Sequence, residues 1–155
     1  MALEIERRFL IKNDNWREFI TKKIFIEQGY LSKTIDDWII RIRFTGKDFK
    51  ITLKKHIESF TNFEFEYSIP PKDGETIMSN LSNTIKKERF FLEVEKKSWI
   101  IDCFKEKNYP LEIAEIELSR EDEDLNLPSF ISEEITGLNY YSNFSLANKP
   151  FSEWK

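Results

Sequence analysis

The sequence predicts a mainly β protein with a few short helices (α+β), built as an eight-stranded antiparallel closed β-barrel. Three observations carry that expectation. Eight runs read as strands, and most of them alternate in side-chain character with a period of two, as extended chain does when its two faces meet different surroundings. The connections between them are short, and helical spacing is confined to brief windows. Sequential strands joined in this way leave sheet edges to protect, and an up-and-down barrel removes them by closing.

The first strand is Leu3 to Ile11, LEIERRFLI, with Glu4, Glu6 and Arg8 on one face and Ile5, Phe9 and Ile11 on the other. Asn13 and Asp14 are candidate caps for a short helix over Trp16 to Lys22, where Trp16, Phe19 and Ile20 recur at helical spacing. Ile24 to Leu31 is the second strand, followed by a turn over Ser32 to Asp37. The third, Trp38 to Phe44, sets Arg41 and Arg43 opposite Ile40, Ile42 and Phe44. Gly46, Lys47 and Asp48 form a hairpin turn into the fourth, Phe49 to Lys55, where Lys50, Thr52 and Lys54 share a face. These first four strands read as antiparallel neighbours.

In the fifth strand Phe63, Phe65, Tyr67 and Ile69 alternate with Asn62, Glu64, Glu66 and Ser68, until Pro70 and Pro71 end it. Asp73 can cap a short helix carrying Ile77, Met78 and Leu81. The sixth strand, Thr84 to Leu92, puts Lys87 and Arg89 on a common face; the seventh, Ser98 to Phe104, carries Asp102 inside an apolar run. The eighth, Leu111 to Leu118, spaces Glu115 and Glu117 two apart. Pro128 can open a helix to about Ile135 before Gly137, and a last helical turn or two covers Asn143 to Asn148 before Pro150.

Composition narrows the chemistry. The chain of 155 residues suits one domain over 1–155, and a formal charge of −4 argues against a general nucleic-acid or anionic-membrane surface. Cys103 is the only cysteine and His56 the only histidine, which excludes an internal disulfide, multi-histidine zinc sites and cysteine-rich metal sites. Cys103 reads as a small buried hydrophobe and His56 as a solvated turn residue. Neither GxxxxGK[ST] nor GxGxxG occurs. No run of about 18 apolar residues is present, so a cytoplasmic protein with no membrane partner is expected.

For any single strand the default is that its apolar face packs inward. The way the charges are sorted argues otherwise for the set. The first, fifth, seventh and eighth strands offer Glu4, Glu6, Glu64, Glu66, Asp102, Glu115 and Glu117; the third, fourth and sixth offer Arg41, Arg43, Lys50, Lys54, Lys87 and Arg89. Solvated sheet faces usually mix signs along each strand. A barrel of about eight strands can hold one small ligand, and an interior with an acidic and a basic sector suits a polyanion joined to the carboxylates by divalent cations. A polyphosphate with Mg2+ or Mn2+ is the expected occupant.

The ordered set EIERRFLI, EQGYLS, IRIRF, ITLKK, FEFEYSIP, KKERF, IDCF, IAEIEL, EEITG and YSNFSLANKP resembles the CYTH, or triphosphate tunnel metalloenzyme, superfamily over nearly the whole chain. The family hallmark ExExK reads EIERR here, and the chain most resembles short bacterial inorganic triphosphatases. The resemblance implies a tunnel open at both ends and metal-dependent release of the terminal phosphate from inorganic triphosphate or an organic triphosphate. It assigns Glu4, Glu6, Glu64, Glu66, Glu115, Glu117 and Asp102 to the metal, and Arg8, Arg41, Arg43, Lys54, Lys87 and Arg89 to the substrate, with Glu4, Glu6 and Arg8 as the catalytic set. A homodimer is a further expectation, and no nucleic-acid polymer is expected to bind. Alternatives on the same scaffold are a class IV-type adenylate cyclase or a thiamine triphosphatase, and, from another class, a catalytically weak polyphosphate binder. Arg8 stands where the hallmark has Lys, Asn62 where relatives often have Arg, and Phe144 where they often have Lys.

Overall fold

In the computed structural model, which describes residues 2–34 and 36–154, nine strands make one antiparallel sheet. They are β1 (Leu3–Ile11), β2 (Ile20–Tyr30), β3 (Ile39–Phe44), β4 (Phe49–Glu58), β5 (Thr61–Ile69), β6 (Thr84–Val94), β7 (Lys97–Phe104), β8 (Glu112–Glu117) and β9 (Ile131–Glu134). Two α-helices join them, α1 (Pro71–Ser79) and α2 (Asn143–Asn148). The strand order β5-β4-β3-β2-β6-β7-β8-β1 closes through a β5–β1 pairing into a barrel of eight. β9 lies outside the ring on β1.

The order differs from a simple up-and-down circuit. β1 sits between β8 and β5 instead of beside β2, so the chain crosses the barrel between β1 and β2 and again between β5 and β6. One edge of β1 pairs with β8 from Glu6 to Leu10. The other is divided between β5, at Leu3 to Ile5, and β9, at Phe9 and Ile11. This divided edge explains why Pro128 to Ile135 is not the expected helix. Beyond Ile5, β1 still has unpaired backbone groups, and residues 131–134 satisfy them as a strand.

The expected helix over Trp16 to Lys22 is also shorter, a 3-10 turn at Asn15–Phe19, after which Ile20 already begins β2. Pairing of Ile20 to Gly29 with the equally long β6 outweighs the helical spacing. Trp16, Phe19 and Ile20 do join one apolar cluster, so their burial was legible although their conformation was not. Asp73 lies in the first turn of α1, where its charge favours the helix N-terminus; Pro70 is the N-cap and Pro71 opens the helix.

The main apolar core lies outside the barrel. Phe9, Phe90, Leu92, Trp99, Ile101, Ala114 and Ile116 project from the outer faces of β1, β6, β7 and β8, and are covered by Trp16, Leu118, Phe130 and Ile131. A second cluster closes one barrel end. There Ile85, Phe104 and Ile113 meet Ile135 and Leu146, with Tyr141, Ala147, Phe151 and Trp154 around them. The expected tunnel open at both ends is therefore capped at one by α2 and its flanking turns. No helix among the described residues is long and apolar enough to cross a membrane.

Candidate active site

Closure turns the sorting of charges in the sequence into a spatial division. β7, β8, β1 and β5, which bring the carboxylates, are contiguous around the ring, and so are β4, β3, β2 and β6, which bring most of the cations. Both halves face one cavity of about 1350 Å3, lined by Glu4, Glu6, Arg8, Arg41, Arg43, Lys54, Glu64, Glu66, Lys87, Arg89, Glu115 and Glu117. The alternation of each strand does this work: on β1, β6, β7 and β8 the apolar residues between these positions belong to the outer core.

On the acidic side, Glu6 faces Glu117 and Arg8 faces Glu115 across β1 and β8. Lys54 Nζ stands 2.6 Å from Glu4 Oε1 and 3.7 Å from Glu6 Oε1, and Asn62 Nδ2 donates to Glu4 at 3.2 Å. Burial and the neighbouring Glu115 charge push Glu6 up to about 8. Burial and Glu4 push Glu64 up to about 7, and the same kind of crowding raises Glu117. Glu115 is the contrast. Burial opposes its ionisation, but Arg8 Nε at 3.2 Å, with Arg89 and Lys87 beyond, lowers it to about 2.

On the basic side, Asp102 is fully buried beneath two cations. It accepts from Lys87 Nζ at 2.8 Å and from Arg89 Nε and Nη2 at 2.8 and 3.0 Å, which hold it ionised despite its burial. Asn143 of α2 also accepts from Lys87, at 2.8 Å. Burial, together with Arg89 and Arg43, lowers Lys87 to about 7 against the pull of Asp102. Arg41 Nη2 donates to Thr52 Oγ1 at 2.9 Å, and Thr52 donates to Glu66 at 3.1 Å. Lys50 is half exposed at the rim, 3.6 Å from Glu66.

Two guanidinium groups keep donors unspent. Arg8 Nη2 and Arg41 Nε are buried without a hydrogen-bond partner among the described residues, although Arg8 Nη1 donates to the Tyr141 carbonyl at 3.0 Å. Buried polar groups are overwhelmingly paired, so orphaned donors in a charged cavity point to an anionic guest.

Asp102 and Glu66 are placed against cations, not with Glu4, Glu6, Glu64 and Glu117. Among the described residues no three acidic side chains converge as a ready-made cage for a metal. The donor chemistry nonetheless fits a hard divalent cation. Glu6, Glu64 and Glu117 offer carboxylate oxygens and are held above the usual carboxylate range by burial and mutual repulsion, a condition that added positive charge relieves.

Sequence reasoning missed Gln28, Tyr30, Thr52 and Asn143. The first two end the inward row Ile24, Ile26, Gln28, Tyr30, where polar residues continuing an apolar row were the available signal. Asn143 gave none, because only its place as the first residue of α2, after the Ser142 cap, brings it to Lys87. His56 lies beside Asn62 at 3.3 Å near the mouth, and Cys103 projects outward to Glu112, its thiol pushed up to about 12 by burial and that carboxylate.

An eight-stranded ring that turns an acidic and a basic half onto one cavity defines the triphosphate tunnel class, the CYTH superfamily. No family model matches the chain. It is 31% identical to the inorganic triphosphatase of Acetivibrio thermocellus, over 100% of this chain and 99% of the relative. Among solved structures it is similar to the inorganic triphosphatase NE1496, with a TM-score of 0.68 and 27% identity over 93% of this chain and 97% of the other. The PH1012 protein of Pyrococcus horikoshii shares the fold, with a TM-score of 0.59 and 16% identity over 76% and 80% of the two chains. The chain belongs to the inorganic triphosphatase family.

Proposed function

We propose that this protein, through the barrel formed by 1–155, hydrolyses the terminal phosphoanhydride of inorganic triphosphate with Mg2+ or Mn2+ as cofactor. The observation that carries the reading is the pair of buried, unspent guanidinium donors, Arg8 Nη2 and Arg41 Nε, in a cavity whose other wall is carboxylate. Arg41, Arg43, Lys87 and Arg89 bind and orient the phosphate oxygens, and Lys54 and Arg8 reach them from the acidic side. Asp102 fixes Lys87 and Arg89 and favours their charged forms against the burial that opposes them; it acts through them. Glu4, Glu6, Glu64 and Glu117 would hold the divalent cation, with Glu115 beside them and Glu66 at the rim. When bound, the cation neutralises phosphate charge and polarises the scissile bond. Most of the rate then comes from positioning and from cations preorganised around the departing diphosphate.

The family relationship and the capped cavity support the inorganic substrate over a nucleoside or thiamine triphosphate. Incubation with tripolyphosphate, ATP and thiamine triphosphate under each metal tests this. Phosphate release from tripolyphosphate is expected to dominate; cyclic AMP with pyrophosphate would favour the cyclase, and binding without turnover the weak binder.

A further inference from the structure

Gln28 is fully buried on β2, and its amide has one workable orientation. Arg43 Nε donates to Gln28 Oε1 at 2.8 Å, and a guanidinium has no acceptor that would permit the reverse bond. The amide nitrogen is thereby turned to Tyr30, and Nε2 donates to the phenol oxygen at 2.8 Å. With its oxygen accepting from Gln28, the phenol must direct its own hydrogen elsewhere. No acceptor for it is found among the described residues, and Tyr30 lines the cavity beside Arg41 and Arg43. Arg43 itself makes no ion pair among the described residues, so Gln28 is what anchors its Nε.

We propose that Gln28 is a positioning residue of the phosphate site: its carbonyl fixes Arg43, and its amide fixes Tyr30 as a donor pointing into the cavity. This rests on the triphosphate reading above. A charged guanidinium sets the direction of a neutral amide, and the amide sets the direction of a hydroxyl. One anionic oxygen can then receive both Arg43 and Tyr30, whereas a hydroxyl left free to rotate would offer lone pairs as readily as its hydrogen. Charge-assisted donors of this kind are the strong ones.

Gln28→Glu tests the direction of the relay while conserving shape. Its carboxylate still accepts from Arg43, but its second oxygen draws the Tyr30 hydrogen away from the cavity. In the otherwise unaltered protein the substitution is expected to lower kcat/KM for tripolyphosphate by about tenfold. In the Tyr30→Phe protein, where there is no hydrogen to redirect, it is expected to cost less than about threefold. An effect of added charge alone would be equal in both backgrounds, and equal losses, or no loss in either, would overturn the proposal. Nuclear Overhauser contacts in the substrate-free protein provide a readout independent of turnover: the Gln28 amide protons should contact the Tyr30 ring, and their absence would also overturn it. Should the unaltered protein leave tripolyphosphate intact, the functional reading fails on its own, and the Overhauser contacts still decide the orientation of the amide.

Discussion

Glu6 shows how the environment of one side chain becomes a measurable pH dependence. Its ordinary range is near 4.5, and in the barrel it is pushed up to about 8 by burial and by Glu115. A carboxyl raised on folding favours the folded state while protonated, so its contribution is complete below the ordinary range and is lost as pH rises through about 8. The metal-free protein should therefore lose melting temperature between about pH 5 and 9, and Glu6→Gln should flatten that fall. The same variant is expected to abolish metal-dependent phosphate release while retaining its circular dichroism spectrum. Retained activity would remove Glu6 from the site. Asp102→Asn is expected to act on the fold, since it leaves Lys87 and Arg89 buried without their counter-charge. Urea titration should show a loss of about 3–5 kcal/mol. Arg41→Ala removes the orphaned Nε together with the Nη2 bond to Thr52 and the pairing with Glu66, so it should raise KM for tripolyphosphate and lower the melting temperature modestly.

At the scale of elements, α1 and α2 have different tasks. Gly74 in α1 rests on the Phe49 ring so closely that an added Cβ would overlap the ring carbons. Gly74→Ala must displace helix or ring, and a lowered melting temperature with unchanged KM is expected. In α2, Leu146 is fully buried in the cluster that caps the barrel, while Asn143 three residues earlier bonds Lys87. Leu146→Ala should cost about 2–5 kcal/mol in a denaturant titration, and on the proposed substrate role of Lys87 it should also impair turnover, because the cap carries Asn143, a partner of that lysine. Element boundaries were legible where alternation met a breaker, as at Pro70 after β5 and Asn143–Asn148 before Pro150. They were illegible where a distant partner decided the conformation. Residues 131–134 became strand because β1 had an edge to fill, and Ile20 to Lys23 because β6 extends as far.

For the whole molecule, inversion of the usual arrangement was legible from the grouping of charge by strand. Strand order was not, since period two says which residues share a face and nothing about which strand lies alongside. The acidic half exists in space because β1 lies between β5 and β8, and that placement depends on pairings such as Glu4 with Asn62 and Glu6 with Glu117. Side chains that bridge strands, such as Gln28 and Asn143, stayed hidden for the same reason.

The position of β1 also bears on how the molecule is made. It precedes the other strands of the barrel in the chain, yet its partner along Glu6 to Leu10 is β8, about a hundred residues later, and β9 follows later still. Until then only Leu3 to Ile5 can pair, with β5, the apolar face of β1 around Phe9 stays uncovered, and loop closure of that length is slow. Chaperone dependence during synthesis should accordingly concentrate on β1 and end once residue 134 has cleared the exit tunnel.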